Sequence, residues 1–153
     1  MTQKPLLTLS IVSHHQATLI AQLLSDLTTR GVGSMEIILT VNTPEPLSFK
    51  PESFDFPITV IHNSSPQGFG ANHNAAFDLA KGDYFCVLNP DIRLSRNPFL
   101  PLLAALEDQS VVAAAPLILT PAGKVESSAR RFPTPLSLAR KVVFGEPGDE
   151  YGL

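Results

Sequence analysis

Short apolar runs alternate with stretches of helical periodicity along the first 115 residues, and this alternation restricts the chain more than any other feature. Residues 6–12 (LLTLSIV) form an uninterrupted apolar-rich run, read as a strand buried on both faces. Residues 16–30 follow, with Leu19, Ile20, Leu23, Leu24 and Leu27 at the spacing of one helix face. Gly31 and Gly33 supply a stop. The unit then recurs. Residues 36–41 and 58–62 read as strands around a Pro/Ser/Glu-rich loop at 43–57, and residues 71–80 as a small-residue helix. Residues 83–88 are the most apolar strand. Asn97-Pro98 opens a further helix striped by Phe99, Leu102, Leu103 and Leu106, and residues 111–115 read as one more strand. Alternation of this kind predicts an α/β fold with a mainly parallel sheet flanked by helices.

Beyond residue 115 the pattern loosens. A hairpin is expected across 117–126, a polar basic loop with Arg130-Arg131 across 127–135, and a short helix across 136–144; residues 145–153 have no core pattern. The 153 residues suffice for one domain, expected to span 1–153 with an irregular C-terminal part. A hydrophobic content of 44% with 16% charged residues describes an ordinary globular chain. The formal charge of −3 argues against nucleic acid as a partner. No apolar segment reaches membrane-spanning length, so membrane contact is expected to be peripheral at most. Cys86 stands alone in an apolar strand, which suggests a buried thiol and a reducing, cytoplasmic setting.

In a doubly wound sheet, ligands bind beyond the carboxyl ends of the strands. The residues that follow each predicted strand are Ser13-His14-His15, Asn42-Thr43, Asn63-Ser64-Ser65 leading into Gly68-Phe69-Gly70, and Asn89-Pro90-Asp91. Small polar groups, glycines and one carboxylate therefore meet on one edge, which suits a phosphate-bearing ligand. Two glycines ahead of a helix permit close backbone approach and leave N–H groups for an anion. The third glycine of a dinucleotide fingerprint is missing, and the acidic residue expected about 20 positions on falls only beyond the next strand, which argues against a nicotinamide cofactor. Asp91 is held at a sheet edge after a buried strand, as hard cations such as Mg²⁺ or Mn²⁺ require of a carboxylate that shares them with phosphate. The four histidines lack zinc-ligand spacing and are expected to line the cleft. Arg130-Arg131 is read either as a diphosphate clamp or as a solvated charge pair.

The segments Leu9-Ser10-Ile11-Val12-Ser13-His14-His15, Asn63-Ser64-Ser65-Pro66-Gln67-Gly68-Phe69-Gly70-Ala71-Asn72-His73-Asn74, and Leu88-Asn89-Pro90-Asp91, with the late Ser127-to-Pro133 stretch, resemble the inverting family 2 glycosyltransferases, in particular their rhamnosyltransferase-like branch. The resemblance covers about residues 7–140. It implies a GT-A fold that binds a nucleoside-diphosphate sugar through Ser13, His14, His15, Asn42, Gly68, Phe69, Gly70, Asn74, Asn89 and Asp91, with Asp91 on the divalent ion. It also implies a saccharide or lipid-linked acceptor, in polysaccharide biosynthesis at the inner face of the membrane. A second copy of the chain is a further candidate partner. Two departures stand out. Asn42 occupies the place of the family's nucleobase-contacting Asp, and the family's acceptor-activating acid lies further along than residue 153. The expectation is therefore a donor-binding half, with a non-catalytic sugar-nucleotide-binding module as the alternative.

Overall fold

A computed structural model describes residues 4–30, 33–120, 123–125 and 134. The chain divides into two units, Met1–Leu100 and Pro101–Leu153.

The first unit carries a four-stranded sheet in the order β3-β2-β1-β4, with every neighbouring pair parallel. The strands are β1 (Leu7–Ser13), β2 (Met35–Val41), β3 (Ile58–His62) and β4 (Tyr84–Leu88). The helices are α1 (Ala17–Arg30) and α2 (Phe69–Phe77), with α3 (Phe99–Ala105) beginning at the end of this unit. The α/β parallel-sheet architecture expected from the alternation is the one observed, and it is consistent with a GT-A fold.

The two faces of the central strands differ in chemistry because strand side chains alternate. Leu7, Leu9 and Ile11 of β1 and Met35, Ile37 and Leu39 of β2 join Ile20, Leu23, Leu24 and Leu27 of α1 in one aliphatic cluster. Leu88, Leu94 and Phe99 close the same cluster. Leu19 is partly solvent-exposed instead. The i, i+3, i+4, i+7 set of 20, 23, 24 and 27 makes the narrow buried stripe, and Leu19 lies off its edge.

The opposite face is polar at the sheet centre. Thr8, Ser10, Glu36 and Thr40 are all buried there. Thr8 Oγ1 donates to Glu36 (2.8 Å), and Glu36 accepts the Lys81 N–H (2.6 Å). The Gly82 N–H donates to Thr8 Oγ1 (2.9 Å). A Cβ at Gly82 would stand 2.6 Å from the Thr8 backbone nitrogen, so only glycine fits between the start of β4 and β1. Thr and Ser inside an apolar run thus mark the face that receives α2 and the 81–82 turn. Phe77 of α2 meets Phe85 of β4 edge to face at 5.1 Å.

Element boundaries shift modestly. α2 starts at Phe69, two residues before its expected start, because Gly70 is helical, and it ends at Phe77 in a turn that carries Leu79 and Ala80. A short 3-10 turn, Pro51–Ser53, interrupts the loop before β3. Asn97 Oδ1 accepts the Phe99 N–H (2.9 Å), the expected capping role.

In the second unit the strand expected at residues 111–115 is absent. These residues form no ladder, and Val112 is 95% exposed. An apolar run becomes a strand only where a neighbour pairs with it, and composition does not specify that neighbour. The expected 117–126 hairpin reduces, among the described residues, to one antiparallel bridge, Leu119↔Val125, with Thr120 N–H donating to the Lys124 carbonyl (2.8 Å). Arg130-Arg131 and the helix expected at 136–144 lie outside the described residues. No helix among the described residues is long and apolar enough to cross a membrane.

Candidate functional site

β1 has β2 on one side and β4 on the other, so the chain reverses its direction of winding between β1 and β4. Loops leaving the carboxyl ends of such strands diverge and leave a crevice. A cleft of about 400 Å³ opens there, within the range usual for small-ligand sites. Val12, His14 and Gln16 line it from the end of β1, and Asn42 from the end of β2. Gln67, Phe69, Asn72 and His73 contribute from the start of α2, and Leu88 to Asp91 from the end of β4.

Of the residues singled out from the sequence, His14, Asn42, Phe69, Asn89 and Asp91 therefore share one wall-to-wall space. Ser13, His15, Gly68, Gly70 and Asn74 are not among its lining residues. Ser13 and His15 serve the shape of the β1–α1 turn. His15 is left-handed (φ 61°). Its N–H donates to Glu45 (3.0 Å), as does the Ala17 N–H (3.1 Å), and Ser13 Oγ donates to the same carboxylate. Burial pushes the Glu45 carboxyl up, but the hydrogen bonds from Ser13, Ala17, Gln16 and His15 outweigh it and hold the group below its ordinary range. A side chain from the 43–57 loop thus fills the α1 N-terminus, where helix N–H groups attract an anion. Asn74 is exposed on α2. A Cβ at Gly68 or Gly70 would meet nothing within 4 Å, and neither glycine has a positive φ.

Four polar side chains tie the cleft floor together. Asn42 Oδ1 accepts from Asn63 Nδ2 (2.8 Å) and from the Gln67 N–H (2.8 Å). Asn42 Nδ2 donates to the Gln67 carbonyl (3.1 Å) and to His14 Nδ1 (3.4 Å). Asn63 Nδ2 also donates to Asn72 Oδ1 (2.7 Å), and Asn72 Nδ2 donates to the Gln67 carbonyl (3.2 Å). Buried amides of this kind are stable when every donor and acceptor is matched. His73 is buried beside this network, with Nδ1 2.8 Å from Ser10 Oγ and its ring edge-on to Phe69 at 4.4 Å. Burial lowers its pKa, so the ring is held neutral.

The fourth wall is fastened from behind. Asp26 of α1 accepts a two-pronged contact from Arg93, Nε to Oδ2 at 2.7 Å and Nη2 to Oδ1 at 2.9 Å. It also accepts the Leu94 N–H (3.0 Å), while Arg30 Nε donates to the Leu94 carbonyl (2.9 Å). The Arg93 contact leads the forces that hold the Asp26 carboxyl down at about 2. This fixes the segment that follows Asn89-Pro90-Asp91.

Electrostatically the cleft is unusual for a phosphate site. Among the described residues its lining holds no Lys or Arg, and Asp91 is its one carboxylate. No group of three or more His, Cys, Asp or Glu able to enclose a metal exists among the described residues.

Residues 11–145 match the glycosyl transferase family 2 profile. The chain belongs to glycosyl transferase family 2. It is also 27% identical over 86 residues to a protein of Haemophilus influenzae described as an uncharacterized glycosyltransferase. The match takes in 56% of this chain and 29% of that relative, so this family member spans well under half the length of the relative it matches.

Glu45, Asn63, Gln67, Asn72 and His73 were not among the residues singled out as ligand contacts, though the histidines were expected to line the cleft. A signal existed for two of them. Phe69, Asn72, His73 and Ala76 fall at i, i+3, i+4 and i+7, one face of α2, and the last three are buried. No local signal points to Glu45, whose role depends on a loop returning to another helix.

Proposed function

We propose that this family 2 chain is the donor-binding half of an inverting glycosyltransferase. In this reading it takes a nucleoside-diphosphate sugar and passes the sugar to a saccharide or lipid-linked acceptor at the cytoplasmic face of a membrane, in polysaccharide biosynthesis, on the pattern of the rhamnosyltransferase-like branch. The observation that carries it is the convergence of Asn89 and Asp91 with His14, Asn42 and the start of α2 around one cleft at the switch point of the sheet.

The lining chemistry also supports a divalent cation. Among the described residues the lining offers a diphosphate no Lys or Arg and one carboxylate, Asp91, whose repulsion a cation held between them would offset. Mg²⁺ or Mn²⁺ is commonly held by one or two carboxylates plus substrate phosphates, so a single Asp91, with Asn89 beside it, is an adequate protein share. Such an ion, when bound, offsets the charge that develops on the leaving diphosphate. The protein's own residues do the rest. The Asp26–Arg93–Leu94 clasp sets the position of Asp91, and the Asn42–Asn63–Asn72 network holds the opposite wall.

Isothermal titration with uridine and thymidine diphosphates, with and without Mn²⁺, tests the reading. Binding is expected to require the metal and to be lost in Asp91→Ala. Metal-independent binding, or binding unchanged by that substitution, rejects it. One observation favours the alternative of a sugar-nucleotide-binding module without turnover. Asp91 is the only acid among the described lining residues, so no second carboxylate among them faces the cleft to activate an acceptor hydroxyl. Turnover of a labelled sugar nucleotide by this chain alone would reject that alternative.

A further inference from the structure

The β1–α1 turn has the form of an anion-binding concavity. His15 is left-handed (φ 61°) just ahead of α1, and successive backbone N–H groups around such a turn point at one spot. The same groups carry the positive end of the helix. In α/β nucleotide-binding proteins the first turn from strand to helix is where a ligand's phosphate rests. Here the turn borders the cleft, since His14 and Gln16 both line it. The protein fills the concavity with an anion of its own. The Glu45 carboxylate accepts the His15 N–H (3.0 Å) and the Ala17 N–H (3.1 Å), with Ser13 Oγ and the Gln16 N–H beside them.

The segment that delivers this carboxylate is stiff and separately anchored. Pro44 and Pro46 flank Glu45 and restrict the backbone on both sides. Ser48 Oγ donates to the Ala17 carbonyl (3.3 Å), a second tie to α1. Further along, Phe49 meets Phe54 edge to face, Phe54 stacks on Phe56, and Phe56 is buried in the core. Glu45 and Asp91 thus play opposite parts. Both Glu45 oxygens accept hydrogen bonds, Oε1 from Ser13 and His15 and Oε2 from Ala17, so its charge is met by donors of the turn. Asp91 is the one carboxylate among the described lining residues, and its charge faces the cleft.

We propose that Glu45 is a specificity-determining residue: it closes the anion concavity of the β1–α1 turn to ligand phosphates, so that a diphosphate is captured only through the cation at Asp91. The closing of the turn stands on the Glu45 contacts alone, and the capture at Asp91 rests on the donor-site reading above. Without Glu45, the N–H groups of His15, Gln16 and Ala17 become a second, metal-independent place for a phosphate.

Thermal unfolding of the full chain in metal-free buffer, with inorganic phosphate titrated at constant ionic strength, tests the closing of the turn. Phosphate stabilises folded proteins in general by exclusion from their surfaces, so the readout is the rise in melting temperature beyond that of wild type. Glu45→Ala is expected to melt below wild type and to gain a saturable rise of about 2–6 °C as phosphate refills the turn. If the variant is unfolded without phosphate, recovery of its circular-dichroism signal on adding phosphate reads the same refilling. Glu45→Asp keeps a carboxylate at the turn and is expected to respond as wild type does. No saturable response in Glu45→Ala overturns the proposal, as does an equal one in wild type or in Glu45→Asp. Titration with uridine diphosphate then reads the capture. Wild type is expected to need Mn²⁺, and Glu45→Ala to bind without it. A variant that takes phosphate but still needs Mn²⁺ for uridine diphosphate overturns the proposal. Wild type that binds no uridine diphosphate even with Mn²⁺ overturns the donor-site reading, and the phosphate response still decides whether Glu45 closes the turn.

Discussion

Replacing Asp26 with Asn removes the charge that fastens the segment behind Asp91, and the structure sets the size of the effect. Asp26 is 7% exposed and receives three hydrogen bonds, two from Arg93 and one from the Leu94 N–H. Its pKa is lowered from 3.8 to about 2, the Arg93 hydrogen bonds leading. At about 1.4 kcal/mol per unit, that shift sets a ceiling of about 2.5 kcal/mol. Arg93 lies largely in solvent, and screening reduces the expected contribution to about 1–2 kcal/mol. The sign follows from the direction of the shift. A carboxylate with a depressed folded-state pKa stabilises fully above its unfolded pKa, and the stabilisation is lost as pH falls through the folded value. Urea unfolding of wild type and Asp26→Asn should therefore differ by about 1–2 kcal/mol near neutrality. The difference should shrink below about pH 4 and be lost as the pH falls through about 2. Subtracting one protein from the other cancels the remaining carboxylates. A difference that stays constant with pH, or a variant as stable as wild type at neutrality, would refute the reasoning.

Two other perturbations test separate parts of the structure. Gly82→Ala drives a Cβ to 2.6 Å from the Thr8 backbone nitrogen; denaturant unfolding should show a loss of about 1–3 kcal/mol, and wild-type stability would mean the β1–β4 approach is looser than described. Cys86 is half-buried rather than fully buried as expected, and desolvation pushes its thiol up to about 11, so iodoacetamide at mildly alkaline pH should alkylate it more slowly in the native than in the denatured protein; equal rates would contradict that placement.

Much of this architecture is legible locally. The first three strands and α1 coincide with their periodic segments to within a residue or so, because a buried parallel strand and an amphipathic helix each need a continuous local pattern. The strand expected at 111–115 is apolar throughout, as β4 is, and still forms no ladder, since pairing is a property of two segments. Leu19 and Ile20 are adjacent aliphatic residues on α1 and look alike in sequence, yet only the 20, 23, 24, 27 set joins the core beneath the sheet.

The Asn89-Pro90-Asp91 turn and the residues that end β1 and β2 were placed at one sheet edge by sequence alone, because strands that run parallel must present their carboxyl ends together. What each residue does there was decided only in three dimensions. Asn42 and His14 are both polar residues after a strand, but the Gln67 backbone and Asn63 engage the buried amide of one, while the other lines the cleft as an exposed side chain. Glu45 and Asp26 have no motif around them, and they shape the site through contacts 28 to 68 residues away in the chain. Pattern and spacing bring the strand ends to one edge of the sheet; contacts with partners remote in sequence determine which of the residues there line the cleft and which are taken up within the protein.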